Sequence, residues 1–135
     1  MFDLSGKRAL ITGASGGIGG AIARTLYQRG ASVVLSGTRV VNLDELQAKL
    51  GDRAFVVPVD LKDEDAPKKL VATAIENMGG VDILVNNAGL TRDTLAIRMT
   101  DENWQSVIDI NLTASFRLCR DVLRGMIQSR WGRII

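Results

Sequence analysis

The stretch Thr12-Gly13-Ala14-Ser15-Gly16-Gly17-Ile18-Gly19 carries no acid, base or thiol, so its chemistry belongs to its backbone. It follows the strand pattern Lys7 to Thr12, with Ala9-Leu10-Ile11 apolar, and opens a helical pattern. In that setting Gly13 lets the chain turn tightly off a strand, and Gly17 and Gly19 let backbone approach a pyrophosphate while the helix sits close to a sheet. The free N–H groups and positive dipole end of the helix then face the anion. A phosphate loop of the kinase type is excluded, because no Lys-Ser or Lys-Thr closes the motif. A bare tight turn and the glycine-rich first loop of a methyltransferase are the alternatives.

The end of the second apolar run separates these readings. A carboxylate about 20 residues past the glycines accepts from ribose hydroxyls in NAD sites. Here the positions are Ser36-Gly37-Thr38-Arg39, and the nearest acids, Asp44 and Glu45, fall in the next helix. A guanidinium beside a hydroxyl suits a 2′-phosphate, through charge-assisted hydrogen bonds of about 1.5–3 kcal/mol each. The residues therefore predict NADP(H) over NAD(H); the plain alternative for Arg39 is a solvated loop charge. Asn86-Asn87 follows another strand pattern, where a doubly wound sheet takes its ligand, though a simple turn would also suit it. Asn111 falls within an apolar helical stripe of Trp104, Val107, Ile108, Ser115, Leu118, Val122 and Met126. It is expected to be a buried amide in need of partners, and by spacing alone an amide that only satisfies nearby backbone is the better reading. Cys119 reads as a small core residue.

Other chemistry is excluded by composition. The sequence has no His and one Cys, which removes Ser-His-Asp hydrolysis, the usual zinc sites and an internal disulfide. With 46% hydrophobic residues, 24% charged and a net charge of +2 over 135 residues, it reads as a folded domain with no nucleic-acid footprint. Its apolar runs are too short for a membrane span and no secretory leader is evident, so a cytoplasmic protein is expected.

The elements that must position these residues alternate. Strand patterns at Lys7–Thr12, Ser32–Ser36, Ala54–Val59 and Val81–Val85 are separated by helical patterns. The first runs from Ala21 to Arg29, stopped by Gly30. The second is capped by Asn42 or Asp44 and ends at Leu50. The third follows Asp63-Glu64-Asp65, buries Leu70, Val71, Ala74, Ile75 and Met78, and stops at Gly79-Gly80. A long amphipathic helix is predicted from about Asp101 to Gln128, then a fifth strand beginning at Gly132-Ile135. Continuous apolar strands alternating with helices predict an α/β fold: a doubly wound, Rossmann-type parallel sheet in three α/β/α layers. The fifth strand pattern has only just begun, so residues 1–135 are expected to be the dinucleotide-binding part of a longer protein.

The Thr12-Gly13-x-x-x-Gly17-x-Gly19 spacing, Asp60 after the third strand, Asn86-Asn87-Ala88-Gly89 after the fourth and Asn111 in the long helix together resemble the short-chain dehydrogenase/reductase family. Within it, Leu90 to Leu95, Arg98-Met99, Trp104, Asn111-Leu112-Thr113 and Arg130 to Ile135 resemble the bacterial 3-oxoacyl-[acyl-carrier-protein] reductases of fatty-acid elongation, which use NADPH. The resemblance implies that Gly13, Ala14, Ser15, Gly16, Gly17, Ile18 and Gly19 hold the pyrophosphate and adenosine side, with Ser15 lending its hydroxyl. Thr38 and Arg39 would sit at the 2′-phosphate, and Asp60 with the Leu61 backbone at the adenine edge. Asn87, Ala88 and Gly89 would line the ribose, and Asn111 would hold a water in the proton relay. Gly16 departs from the pattern, since many NADPH-dependent reductases carry Arg there, which leaves Arg39 as the main phosphate residue.

The family's catalytic Ser, Tyr and Lys follow the fifth strand. The single tyrosine, Tyr27, has no Lys four residues on and reads as a packing aromatic. These 135 residues alone are therefore expected to have negligible reductase activity. The resemblance further implies a homotetramer of the whole protein and an acyl-carrier protein partner. Arg117, Arg120, Arg124, Arg130 and Arg133 stand against the single acid Asp121 near the end of the sequence, and an acidic carrier suits such a patch, with Arg130 as the docking residue. A non-catalytic NADP-binding module and a reductase of another carbonyl substrate remain open beside this reading.

Overall fold

The computed structural model describes residues 2–135. Five strands, β1 (Arg8–Ile11), β2 (Ser32–Gly37), β3 (Ala54–Pro58), β4 (Ile83–Val85) and β5 (Arg133–Ile134), form one parallel sheet in the order β3-β2-β1-β4-β5. The helices are α1 (Gly17–Gln28), α2 (Val40–Leu50), α3 (Ala66–Met78), α4 (Asp101–Ile108) and α5 (Ala114–Ser129).

Side chains alternate across each strand, so one run of buried residues serves two faces. Ala9, Ile11, Val33, Leu35, Ile83 and Val85 pack with Ala23 of α1 and with Leu43 and Leu46 of α2. Leu10, Val34, Val57 and Leu84 pack on the other face with Leu70, Val71 and Ala74 of α3 and with Leu118, Val122 and Met126 of α5. This is the expected three-layer doubly wound fold. The chain winds outward from β1 through β2 to β3, then returns to place β4 on the other side of β1. The order reverses between β1 and β4, which opens a crevice beyond the carboxyl ends of those strands.

A charged clasp ties the two central strands at their amino ends. The Asp82 carboxylate accepts from the Arg8 backbone N–H at 3.0 Å, from Arg8 Nε at 2.8 Å and from Nη2 at 2.9 Å. Asp82 is buried, and the guanidinium beside it holds its carboxyl below the usual carboxylate range.

Several local expectations need correction. Helix α1 starts at Gly17 rather than Ala21, within the glycine stretch. Helix α2 starts at Val40 and has no side-chain cap, so neither Asn42 nor Asp44 caps it. Ile75 is 45% exposed, because α3 turns only the Leu70, Val71, Ala74 side inward. The long helix is interrupted: Asp109–Thr113 is a π-helical turn between α4 and α5. One extra residue per turn there rotates the stripe, so Trp104 is 61% exposed and Asn111 is also exposed, not buried. Among the described residues no helix is long and apolar enough to cross a membrane.

Candidate functional site

The turn after β1 is built by contacts to the turn after β4. Thr12 is buried, and its hydroxyl donates to the Val85 carbonyl at 3.2 Å. The same oxygen accepts the N–H groups of Asn87 at 3.1 Å and Ala88 at 3.0 Å. The Asn87 amide donates to the Thr12 and Gly13 carbonyls at 3.1 and 3.2 Å. One hydroxyl and one carboxamide therefore lock the two loops that flank the crevice.

Glycine is required at two of these positions. Gly13 has φ +64°, and a Cβ on it would stand 2.8 Å from Asn87 Nδ2 and 3.0 Å from Ala88 Cα. A Cβ on Gly19 would collide with the Gly13 carbonyl oxygen, which is how closely α1 packs on the turn. At Gly17, by contrast, a Cβ would meet nothing within 4 Å, because that position faces open space. The first helical hydrogen bond runs from Gly20 N–H to the Gly16 carbonyl at 2.9 Å. The amides of Gly17, Ile18 and Gly19 precede it and have no partner inside the helix. The arrangement offers N–H donors and a positive helix end to an anion.

These groups open on a cleft of about 630 Å³. Its wall brings together every residue that the sequence reading put at a dinucleotide except Ala14 and Gly19: Gly13, Ser15, Gly16, Gly17, Ile18, Thr38, Arg39, Asp60, Leu61, Asn87, Ala88 and Gly89. Ala14 is buried beneath the turn, its N–H donating to the Ser36 carbonyl at 2.9 Å, and Gly19 is buried against Gly13. The wall also includes residues the sequence reading gave no role, among them Thr12, Lys62, Leu90 and Ile110. Of these, Lys62 carried a signal in its charge and its position just past Asp60. Leu90 and Ile110 had none, since nothing local marks an aliphatic residue for a cleft.

The charged residues of the wall are Arg39, Asp60 and Lys62. Asp60 Oδ1 accepts the Lys62 N–H at 3.0 Å, which fixes the bend after β3. Arg39 reaches across the glycine turn, with Nη2 donating to the Ser15 carbonyl at 3.1 Å. Asp44 and Glu45 lie within α2 and take no part in the wall.

Asn111, in the π turn, grips the loop after β4. Its Oδ1 accepts the Leu90 N–H at 2.8 Å, and its Nδ2 donates to the Leu90 carbonyl at 2.9 Å. Leu90 and Ile110 reach the cleft, so Asn111 stands at its border although it is not part of the wall. Asn86 turns away, its Nδ2 lying 3.5 Å from Cys119 Sγ, and Cys119 packs against the core. Arg130 lies elsewhere. It ends α5 in a left-handed conformation (φ 53°), before β5 and so near the amino ends of the strands. Helix α5 spans about 24 Å at 1.5 Å per residue, which separates Arg130 from Asn111. The expected basic patch is also smaller than the sequence suggests. Arg117 pairs with Glu64 at 3.1 Å, Arg120 lies 3.4 Å from Asp121, and Arg133 sits over the Trp131 ring at 4.9 Å. Tyr27 is stacked against Arg53 at 3.9 Å and packs on the core, away from the cleft wall.

Residues 7–135 match the family model described as short chain dehydrogenase, and the chain belongs to that family. It is 53% identical over 135 residues to a nodulation protein G of a Rhizobium species and 51% identical to that of Rhizobium meliloti. It is 50% identical over 135 residues to the 3-oxoacyl-[acyl-carrier-protein] reductase FabG of Rickettsia conorii. All of this chain aligns in each case, against 55%, 55% and 54% of the relatives, so it spans about half their length.

Proposed function

We propose that the cleft binds NADP(H), and that these residues supply the coenzyme site of an NADPH-dependent 3-oxoacyl-[acyl-carrier-protein] reductase. The observation that carries the reading is Arg39, laid over the glycine turn at the end of β2, where Ser36-Gly37-Thr38-Arg39 offers no carboxylate to a free ribose hydroxyl. The donor set fits such a coenzyme. The Gly17–Gly19 amides hold the pyrophosphate, Ser15 adds its hydroxyl, and Thr38 and Arg39 take the 2′-phosphate. Asp60 and Leu61 meet the adenine edge, and Asn87, Ala88 and Gly89 line the ribose. Bound NADPH supplies a hydride for reduction of a β-keto group. Asn111 retains one amide proton and one acceptor lone pair beyond its two bonds to Leu90, enough to steady a relay water. An acidic acyl-carrier protein docks at Arg130, and the whole protein works as a cytoplasmic homotetramer.

Titration calorimetry with NADPH and NADH tests the coenzyme reading. NADPH binds at least tenfold tighter, and Arg39→Glu removes most of that affinity while leaving NADH within about threefold. Equal losses for both coenzymes, or no uptake of either, overturn it. A reductase of another carbonyl substrate is the second reading, favoured because relatives at 53% and 51% identity bear the name nodulation protein G. Turnover of a 3-oxoacyl chain on carrier protein against free carbonyl compounds separates the two. In the first reading Arg130→Glu raises KM for the carrier-bound substrate alone.

A further inference from the structure

Two side chains converge on one carbonyl of the glycine turn. Arg39 Nη2 donates to the Ser15 carbonyl at 3.1 Å, and Asn42 Nδ2 donates to the same oxygen at 3.3 Å. The donors lie three residues apart at the start of α2, hence on neighbouring positions of one helix face. The carbonyl is 24 residues from Arg39 and 27 from Asn42, so the pair bridges the β2 end to the turn after β1. Gly16 lies beside the guanidinium: a Cβ there would stand 3.7 Å from Arg39 Nη2, an ordinary contact.

A carbonyl oxygen has two lone pairs and satisfies both donors at once. The donors differ in what a phosphate offers them. The guanidinium is permanently charged and forms charge-assisted bonds about twice as strong as neutral ones, whereas the carboxamide gains far less. We propose that Asn42 is a positioning residue for coenzyme selection, keeping the Ser15 carbonyl bonded when the Arg39 guanidinium swings from it to a ligand phosphate. This deepens the NADP(H) reading and rests on it. Without Asn42, recruiting Arg39 leaves the exposed carbonyl to water and unties the turn, whose amides face the pyrophosphate, from α2. With it, one donor moves and the other stays.

The test is a double-mutant cycle in the intact protein, read by calorimetry with NADPH and NADH. Asn42 is exposed, and the fold of each variant is checked by thermal unfolding. Asn42→Ala raises the Kd for NADPH about fivefold, equivalent to about 1 kcal/mol, and moves NADH less than twofold. Asn42→Gln, which keeps an amide donor, recovers at least half of that loss. In an Arg39→Ala background, where no guanidinium is recruited, Asn42→Ala no longer weakens NADPH more than NADH. Equal weakening of both coenzymes by Asn42→Ala alone, or a fivefold loss still confined to NADPH without Arg39, overturns the proposal, since Asn42 then acts independently of the guanidinium. If the unaltered protein prefers NADPH and Arg39→Ala abolishes the preference while Asn42→Ala changes nothing, this inference alone falls. If the unaltered protein shows no preference for NADPH, the coenzyme reading falls and takes the inference with it.

Discussion

Thr12 shows how much of the cleft depends on a residue that touches no charge. Its hydroxyl donates once and accepts twice, and its partners lie at Val85, Asn87 and Ala88. Valine has nearly the same shape and none of those bonds, so Thr12→Val leaves the part-buried Asn87 and Ala88 N–H groups without their partner, while the Val85 carbonyl keeps the Thr12 backbone N–H at 3.1 Å. A buried unsatisfied group costs about 1–3 kcal/mol. With nearby water meeting part of the loss, Thr12→Val is expected to lower unfolding stability by about 2–4 kcal/mol in denaturant titration, and Thr12→Ser by less than half as much. A loss below 1 kcal/mol for valine would mean that the two loops are held by Asn87 alone. Spelling the motif placed Thr12 in the glycine stretch but said nothing of this role, because its partners are 73 to 76 residues away. Arg39 was legible for the opposite reason: its charge and its distance from the glycines sufficed, and no partner had to be known.

At the level of elements, what could be read locally was read well. β-branched runs place β1 to β4, and Gly30 and Gly79, at φ +100° and +83°, stop α1 and α3 where an L-residue would be strained. The misses came where position depends on tertiary contact. No side chain signals the start of α2 at Val40, and the π turn at Asp109–Thr113 stands against the Leu90 loop, 21 residues away, that Asn111 holds. The Arg8–Asp82 clasp was also invisible, being a pairing across 74 residues. It has a pH consequence. The folded carboxyl of Asp82 is depressed, chiefly by its hydrogen bonds to Arg8, so the unfolded chain takes up that proton first as acid is added. The clasp is thus fully stabilising above the ordinary carboxylate range and is lost as pH falls through the lower folded value. Arg8 is partly exposed, so solvent screening reduces its worth to about 1–2 kcal/mol. Asp82→Asn should lower stability by that amount at pH 7 and flatten the loss between about pH 5 and pH 3. An acid limb as steep in the variant as in the parent would assign acid unfolding to other carboxylates.

Across the whole molecule, the helix that closes one face of the sheet is apolar on both sides. Leu118, Val122 and Met126 of α5 enter the core, while Phe116 and Ile127 stay 60% and 71% exposed and Leu123 41%. Leu112, just before α5, is 62% exposed and continues the outer line at helical spacing. A helix with a purely structural task needs one apolar stripe, and a second one this long marks a surface that buries itself against something. Full burial of such a side chain is worth about 1.5–3 kcal/mol, and several of them meeting their copies offset the cost of association. Sedimentation velocity at tens of micromolar should therefore show dimers or larger species. Phe116→Glu with Ile127→Glu should give a monomer whose unfolding stays cooperative, because neither side chain contributes to the core. Dispersal of the assembly with loss of the folded state would instead show that the outer stripe holds α5 in place. A parent protein that sediments as a monomer at that concentration would leave the second stripe without an association role.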